Sequence, residues 1–226
     1  MSKPFVWSWT SLNQFENCPL AFQMRYVDKK VKFESSEAAS WGIKVHKSLD
    51  ARLRAGVPLP SEVSPYEKWA ETVEKMANGH ELYTEKPLGI NKNWGPVDPF
   101  SPICWGKGKA DVIVVKDGIG YIFDWKTGKK NTDTTEAEIF TCMFDAQAHL
   151  QEYRYKYVWL KSDEATPEKG RNRITSKEIP ELQEKLSARV GRLEDAIKSG
   201  TFKPRPSGLC DWCDYNKQLG CPYARK

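Results

Sequence analysis

Two aspartates and one lysine stand where a hairpin would bring them together. Asp111 precedes one β-branched run, Asp124 follows a second run, and Asp117-Gly118 lies between the runs. An Asp-Gly pair in this position predicts a hairpin, so the two aspartates should lie at the same end of it. Lys126 follows Asp124 at spacing two and shares its face of the strand. Converging carboxylates repel unless a cation lies between them, so the stretch predicts a metal site, with an ordinary hairpin of solvated charges as the alternative.

Three cysteines near the end of the sequence form a second candidate site. Cys210 and Cys213 are spaced so that a tight turn could direct both sulfurs to one metal centre, and Cys221 offers a third sulfur. A tetrahedral zinc ion or a four-iron cluster needs a fourth ligand, and no histidine follows Cys221. Cys104 and Cys142 stand outside this pattern and are interpreted as ordinary thiols.

Composition and charge limit the classes of protein that this chain can belong to. Its 226 residues are 29% charged and 39% hydrophobic, which is typical of a soluble globular protein. The net charge of +5 is compatible with a polyanionic partner. We expect neither a membrane span nor a signal peptide, because no apolar run has the required length. The expected location is therefore the cytoplasm, where cysteines are thiols or metal ligands more often than disulfides.

A helix is predicted from about Ser36 to Arg54, ahead of the hairpin. Ile43, Leu49 and Leu53 can share one face of this helix with either Val45 or His46. His46 itself has two interpretations, as a packed or solvated histidine or as a metal ligand.

The segment between this helix and the hairpin predicts a strand and a long loop. Residues Glu81–Lys86 favour a strand, on which Glu85 either faces the site or lies on the surface. Residues 87–105 hold four prolines and two tryptophans and are interpreted as an irregular loop. Trp94 or Phe100 could stack on a nucleic-acid base there, or anchor the loop by packing.

After the hairpin, a helix is predicted over Phe144–Tyr155. On it Gln147, Gln151 and Tyr155 recur every four residues and would form one polar stripe. The stripe could face the edge of the sheet or be a solvated helix face. A clearer helix is predicted from Pro180, and further strands on either side of residues 162–172.

These motifs, taken in order, resemble the PD-(D/E)XK nuclease superfamily, and most closely its RecB-type exonuclease branch with an iron–sulfur cluster. CRISPR-associated adaptation nucleases and helicase–nuclease subunits share this layout. The resemblance extends over nearly the whole chain through the following residues: Cys18, Gly42-x-x-x-His46, Asp111, Asp124-Trp125-Lys126-Thr127-Gly128, Gln151-x-x-x-Tyr155, Cys210, Cys213 and Cys221.

The resemblance implies an α/β fold with a mixed central β-sheet flanked by helices, like the core of restriction endonucleases. It implies a DNA nuclease that depends on Mg²⁺ or Mn²⁺, held by His46, Asp111 and Asp124. Lys126 would orient or help to deprotonate the attacking water. Gln151 and Tyr155 would position that water or the phosphate, with Gln147 as an alternative.

The resemblance also implies the substrate of the enzyme and its mode of action. The expected action is that of an exonuclease on single-stranded DNA or DNA ends, in recombination, repair or phage DNA processing, in a prokaryotic or phage-infected cell. Lys129 and Lys130 would contact the DNA. The alternatives are a non-catalytic DNA-binding or assembly module that keeps the fold, and a zinc-binding nucleic-acid module. The sequence indicates no oligomeric state.

Finally, the resemblance identifies Cys18 as the fourth ligand of the cysteine site. Together with Cys210, Cys213 and Cys221 it would hold a 4Fe–4S cluster, or zinc as the alternative, and so join the N- and C-terminal regions. Residues 1–226 would form a single nuclease domain, in which residues 201–226 and Cys18 make an iron–sulfur subdomain. The seven residues between Cys213 and Cys221 depart from the five that are commoner in the family.

Overall fold

The computed structural model describes residues 4–34, 36–130, 133–166 and 172–225. The chain forms two compact units, one from residues 36–183 and one from the terminal segments 1–35 and 184–226. They are called the sheet unit and the terminal unit below. The expectation of a single nuclease domain with a cysteine subdomain stays a prediction.

The chain alternates between helices and strands. The helices are α1 (Trp9–Asn17), α2 (Pro19–Phe22), α3 (Glu37–Ala55), α4 (Glu67–Ala77), α5 (Thr135–Ala148), α6 (Ile179–Ser199) and α7 (Asp214–Leu219). The strands are β1 (Glu81–Ile90), β2 (Gly106–Lys116), β3 (Ile119–Lys126), β4 (Glu152–Trp159), β5 (Glu164–Thr166) and β6 (Arg173–Thr175). Single turns of 3-10 helix occur at Ser64–Tyr66, Ser176–Glu178 and Cys210–Trp212, and a π-helical turn occurs at Gln23–Val27.

The strands form one mixed sheet in the order β1-β2-β3-β4-β5, and β6 also pairs with β4. The β3–β4 pair is parallel and the other pairs are antiparallel. Asp117 and Gly118 form the β2–β3 turn with φ of 51° and 74°, which are the positive angles that a type I′ turn requires. The predicted hairpin and the predicted mixed sheet with flanking helices are therefore confirmed.

Helices cover both faces of the sheet. Val45, Leu49 and Leu53 of α3 pack with apolar residues of α4 against one face, where Val112 and Phe123 lie. On the other face, α5 approaches so closely that a Cβ at Gly108 would lie 2.6 Å from Phe140 Cε1. Because strand residues alternate between faces, Asp124 and Lys126 lie on the α5 face, opposite to Phe123 and Trp125.

The terminal unit has an aromatic core of its own. Phe22 contacts Phe5, Phe15 and Phe202, with ring centroids 5.3, 5.6 and 6.2 Å apart. Ser8 caps α1 in a capping box with Ser11. Pro19 is the first residue of α2.

The predicted helix over Phe144–Tyr155 is wrong in its second half. Helix α5 ends at Ala148, and His149 adopts a left-handed conformation with φ of 49°. Gln151 therefore lies in a bend, and Tyr155 lies within β4. Tyr153, Tyr155, Tyr157 and Trp159 are all buried, and this alternation of aromatic residues is a strand pattern that outweighs the coincidental spacing of four.

Candidate active site

The two aspartates of the motif lie where the β2–β3 ladder ends. The last paired residues are Val112 and Phe123, and the next position in this register places Asp111 opposite Asp124. Asp111 Oδ2 accepts a hydrogen bond of 2.8 Å from the backbone N–H of Trp125. Both aspartates are buried, with 8% and 7% of their surface exposed. The predicted convergence of the carboxylates is present in the structure.

His46 reaches this site from α3. Its Nδ1 lies 3.1 Å from Asp111 Oδ1. A Cβ at Gly42, one turn earlier, would lie 3.2 Å from Thr127 Oγ1, so the glycine permits α3 to approach the end of β3. Burial lowers the pKa of His46, but Asp111, Asp124 and the backbone of Trp125 together raise it more, and the net pKa lies above its ordinary value. Ile43, which was predicted to share one face of the helix with Leu49 and Leu53, is exposed, whereas both leucines are buried.

Glu85 joins His46 and Asp111 from β1. It lies between the paired residues Thr84 and Lys86, and it has a φ of 46°, a strained angle for a residue with a side chain. Its Oε1 lies 3.9 Å from His46 Nδ1. Of the two interpretations of Glu85, the structure supports the one that places it at the site.

His46, Glu85 and Asp111 form a group that fits a divalent cation. Each offers one ligand atom, and these atoms lie within 4.8 Å of one another. Ligands about 2.1 Å from a cation in octahedral geometry are separated by roughly 3 Å, which is close to the His46–Asp111 distance. Imidazole and carboxylate together suit Mn²⁺ as well as Mg²⁺.

Asp124 lies outside that group and contacts Lys126 instead. Lys126 Nζ lies 2.6 Å from Asp124 Oδ2 and 2.5 Å from Glu136 Oε2 of α5. Although close, this ammonium is poorly directed, and Oδ2 accepts no well-aligned hydrogen bond from the described residues. A buried carboxylate oxygen in that condition is suited to a cation.

The pKa shifts of Asp124 and Lys126 show that carboxylates are crowded around one ammonium. Burial raises the pKa of Asp124 well above its ordinary value, and the charge of Asp111 raises it further. Burial lowers the pKa of Lys126, but Asp124 and Glu136 outweigh this effect and raise it. Without a cation, the carboxylates are crowded and the ammonium is held between two of them.

Glu136 and Tyr157 are site residues that the sequence did not indicate. Tyr157 pairs with Asp124 in the parallel β3–β4 ladder, and Lys126 Nζ lies 5.0 Å from the centroid of its ring. The Tyr157 hydroxyl accepts a hydrogen bond of 3.0 Å from the N–H of Ala137, beside Glu136. The alternation of side chains along β4 could have indicated Tyr157 as a site residue. Glu136 is brought to the site only by the packing of α5.

The structure does not bring Gln151 to the carboxylates. It precedes Glu152, which pairs with Ile119 at the opposite end of β3 from Asp124. Five residues of strand separate these positions, or roughly 16 Å. Tyr155 is buried and pairs with Ile122, two residues before Tyr157 in β4.

Lys129 and Lys130 line a cleft that continues from the end of β3. The cleft has a volume of about 780 Å³ and also contains Thr127 and Lys161. Lys130 Nζ forms an ion pair of 2.6 Å with Glu164. Lys161 adds a further positive charge that the sequence did not indicate.

All four cysteines of the predicted cluster line one cavity of the terminal unit, of about 350 Å³. The N–H of Arg205 donates to Cys18 Sγ at 3.4 Å, and the N–H of Ser207 donates to Cys210 Sγ at 3.4 Å. Backbone donors, Arg225 first and then Ser207, lower the pKa of the Cys210 thiol. Such donors favour the thiolate form that binds metals.

Thiolates that share one cavity are ligands for either of two metal centres. Both a tetrahedral zinc ion and a four-iron cluster bind four cysteine sulfurs, and this cavity offers four.

The protein has a mixed sheet with helices on both faces. A histidine, acidic residues and a lysine lie together where the β2–β3 ladder ends. These features define the class of α/β proteins with a restriction-endonuclease-like core. The chain belongs to the PD-(D/E)XK nuclease superfamily, whose family model matches residues 6–218. This membership suggests nuclease activity with a divalent metal, and a nucleic acid as the partner.

Other comparisons are more distant. A protein described as "Crystal structure of SSO0001" is similar with 14% identity and a TM-score of 0.49, over 100% of this chain and 90% of that chain. No curated protein matches the sequence. In the described part of the chain, no helix combines the length and the apolar character that a membrane span requires.

Proposed function

We propose that this protein is a metal-dependent DNA nuclease with its active site at the open end of the β2–β3 ladder. The observation that carries the proposal is the group of His46, Glu85 and Asp111 beside the Asp124–Lys126 ion pair. Mg²⁺ or Mn²⁺ would be held by His46, Asp111 and Asp124, as the resemblance implies, and Glu85 is added as a fourth ligand.

The protein groups have separable roles in phosphodiester hydrolysis. When bound, the cation would act as a Lewis acid on the phosphate and lower the pKa of a water molecule. Lys126 provides a positive charge beside Asp124, where negative charge develops in the transition state. Glu136 and the ring of Tyr157 hold that ammonium in place.

The cleft beside the site supports a nucleic acid as the substrate, and the choice of DNA rests on the resemblance. Lys129, Lys130 and Lys161 line the cleft directly after the motif lysine, and lysines that follow a phosphate backbone account for much of the affinity of nucleic-acid-binding proteins. The finer proposal, an exonuclease that acts on single-stranded DNA or DNA ends in recombination, repair or phage DNA processing, rests on the resemblance to the RecB-type branch.

We also propose that Cys18, Cys210, Cys213 and Cys221 hold a 4Fe–4S cluster. The cavity that they share supports a common metal centre, and the choice of a 4Fe–4S cluster over zinc rests on the resemblance to the iron–sulfur members of the RecB-type branch. The cluster would be structural, because it links one cysteine near the start of the chain to three near the end.

Digestion of end-labelled DNA tests the nuclease proposal. Single- and double-stranded substrates, linear and circular, are incubated with Mg²⁺ or Mn²⁺, and Asp111→Asn serves as the inactive control. We expect cleavage of linear single strands, with circles spared. Cleavage of circles would indicate an endonuclease, and binding without cleavage under any metal would favour the non-catalytic module.

A further inference from the structure

A two-stranded ribbon extends from the sheet beyond the candidate active site. The β1–β2 ladder continues from Lys86 and Ala110 to Ile90 and Gly106, whereas the β2–β3 ladder stops at Val112. The extension is five residues long in β2, or roughly 16 Å. Residues 86–109, the ribbon with its connecting loop, are called the arm below. The arm begins next to Glu85 and Asp111, so a polymer bound in the site could also reach it.

The loop of the arm is held in one conformation by its own contacts. The side chain of Asn91 accepts hydrogen bonds from the N–H groups of Asn93 and Gly95 at 2.9 and 3.0 Å. The rings of Trp94 and Trp105 pack edge to face, with centroids 5.8 Å apart. Of the two aromatic residues singled out from the sequence, Trp94 is therefore the packed anchor.

Phe100 has the opposite environment. It is 82% exposed, and Ile103 beside it is 65% exposed. Its backbone is nevertheless fixed, since the N–H of Phe100 donates to Asp98 Oδ1 at 2.7 Å and the N–H of Ser101 donates to Asp98 O at 2.9 Å. A large apolar side chain that an ordered loop presents to solvent contributes little to folding. It is suited to binding, because little order remains to be gained in the complex.

The charge of the arm identifies the kind of partner. The arm contains four lysines and one aspartate, with no glutamate or arginine, and of these lysines Lys109 forms an ion pair with Glu85. Lys107 Nζ lies 5.9 Å from the centroid of the Phe100 ring. An exposed aromatic ring next to a lysine is the arrangement with which proteins bind single-stranded nucleic acid: the ring stacks on a base and the ammonium contacts the phosphates.

We propose that the arm binds a single strand of the substrate, with one base stacked on Phe100 and the adjoining phosphate on Lys107. This inference rests on the proposed nuclease function and deepens it by naming the arm residues that would contact a single strand. A base pair in the interior of a duplex is stacked on both faces and offers none to Phe100, so a duplex should gain much less from the ring than a single strand.

Binding measured without turnover tests the proposal. Fluorescence anisotropy with labelled oligothymidylate and with a duplex of equal length is recorded in Ca²⁺ for the full-length protein, for Phe100→Ala and for Phe100→Trp. Phe33→Ala, which removes an exposed phenylalanine of the terminal unit, is the matched control. Loss of one stacked base should raise the Kd for the single strand roughly 5- to 150-fold in Phe100→Ala. Phe100→Trp and Phe33→Ala should bind like the wild type.

A second variant measures the phosphate contact. Lys107→Ala should reduce the slope of log Kd against log salt by about 0.7 for the single strand, which is the effect of one phosphate contact. A slope equal to that of the wild type would remove Lys107 from the interface.

The outcomes separate the arm from the catalytic proposal. If the wild type cleaves DNA but Phe100→Ala binds single strands as tightly, the arm proposal is wrong and the nuclease proposal stands. If binding depends on Phe100 but no metal supports cleavage, the nuclease proposal fails and the arm stands. If Phe100→Ala lost affinity equally for single strand and duplex, the arm proposal would be overturned. It would also be overturned if Phe100→Ala changed the oligomeric state in ultracentrifugation and left the Kd unchanged, because Phe100 would then contact a second copy of the chain.

Discussion

Replacing Cys18 with serine should remove the proposed iron–sulfur cluster and a large part of the stability of the protein. Cys18 and Cys210 are separated by 192 residues in the sequence and line the same cavity. In the chain-entropy treatment of cross-links, closing a loop of this length contributes about 5 kcal/mol. The whole free energy of unfolding of a domain is of order 5 to 15 kcal/mol. For a chain of this size, the loss corresponds to a decrease of Tm by roughly 10 to 20 °C.

Contacts other than the cluster keep the terminal segments together in this variant. Arg189 forms a bidentate ion pair with Glu16 at 2.8 and 2.6 Å, and Arg25 contacts Asp214 at 3.3 Å. The variant should therefore remain folded at low temperature, so that its metal content and its melting can both be measured.

The assay combines metal content with unfolding. Protein purified without oxygen is analysed for iron, sulfide and zinc per chain and for visible absorbance, and Tm is recorded on the same samples. Cys18→Ser and Cys213→Ser should lose iron equally, although their positions are distant in sequence. Cys104→Ala is the matched control, because Cys104 is buried and does not line the cavity.

Two results would contradict the reasoning. Cys18→Ser with the iron content and the Tm of the wild type would mean that Cys18 is no ligand, and the arrangement of one plus three cysteines would be wrong. Zinc in the wild type, with no iron or sulfide, would mean that the sulfurs close around a single ion.

Three further predictions concern the active site. Asp111→Asn should abolish cleavage with Mg²⁺ or Mn²⁺ and leave the circular dichroism spectrum unchanged, so full activity in the digestion assay would exclude Asp111 as a ligand. Lys126→Ala should lower kcat by about 10² to 10⁴ while the Kd for DNA in Ca²⁺ changes little; Lys129→Ala, the control, should weaken binding and spare kcat. In the metal-free protein, burial and Asp111 raise the pKa of Asp124 in the folded state above the ordinary value of 3.8. As the pH rises above 3.8, the unfolded chain therefore releases this proton more readily than the folded protein does, and the fold is destabilised. Asp124→Asn should therefore raise Tm at mildly alkaline pH, with the gain disappearing toward pH 3.8, and a gain independent of pH would contradict this origin.

The parts of the site that could be predicted from the sequence are those that local chemistry determines. Asp117-Gly118 has few alternatives to a tight turn between two β-branched runs, and the turn sets the register that places Asp111 opposite Asp124. Helix α3 followed from the spacing of its buried residues, and His46 was placed on it correctly. The cysteine pattern likewise indicated a shared site, although Cys18 came from the resemblance alone.

Glu136 could not be predicted in this way, because its contact with Lys126 depends on how α5 packs across the sheet. Gln151 and Tyr155 show a different limit. A spacing of four is compatible with one face of a helix and also with one face of a strand, since four is a multiple of two. The burial of Tyr153 and Tyr157 decides for the strand, and burial is a property of the fold rather than of the spacing.

Glu85 explains why the site itself is the hardest part to predict. A regular β1–β2 ladder would give Glu85 extended backbone angles, yet its φ of 46° interrupts the ladder opposite Asp111. On the other side of β2, the carboxylate of Asp111, rather than a backbone carbonyl, accepts the N–H of Trp125. Both irregularities weaken the sheet locally, and both place carboxylates beside His46. Strain of this kind persists only where the surrounding fold enforces it. Rules of local propensity fail at Glu85 because the close approach of charges there opposes the stability of the sheet. A cation between those charges would offset their repulsion.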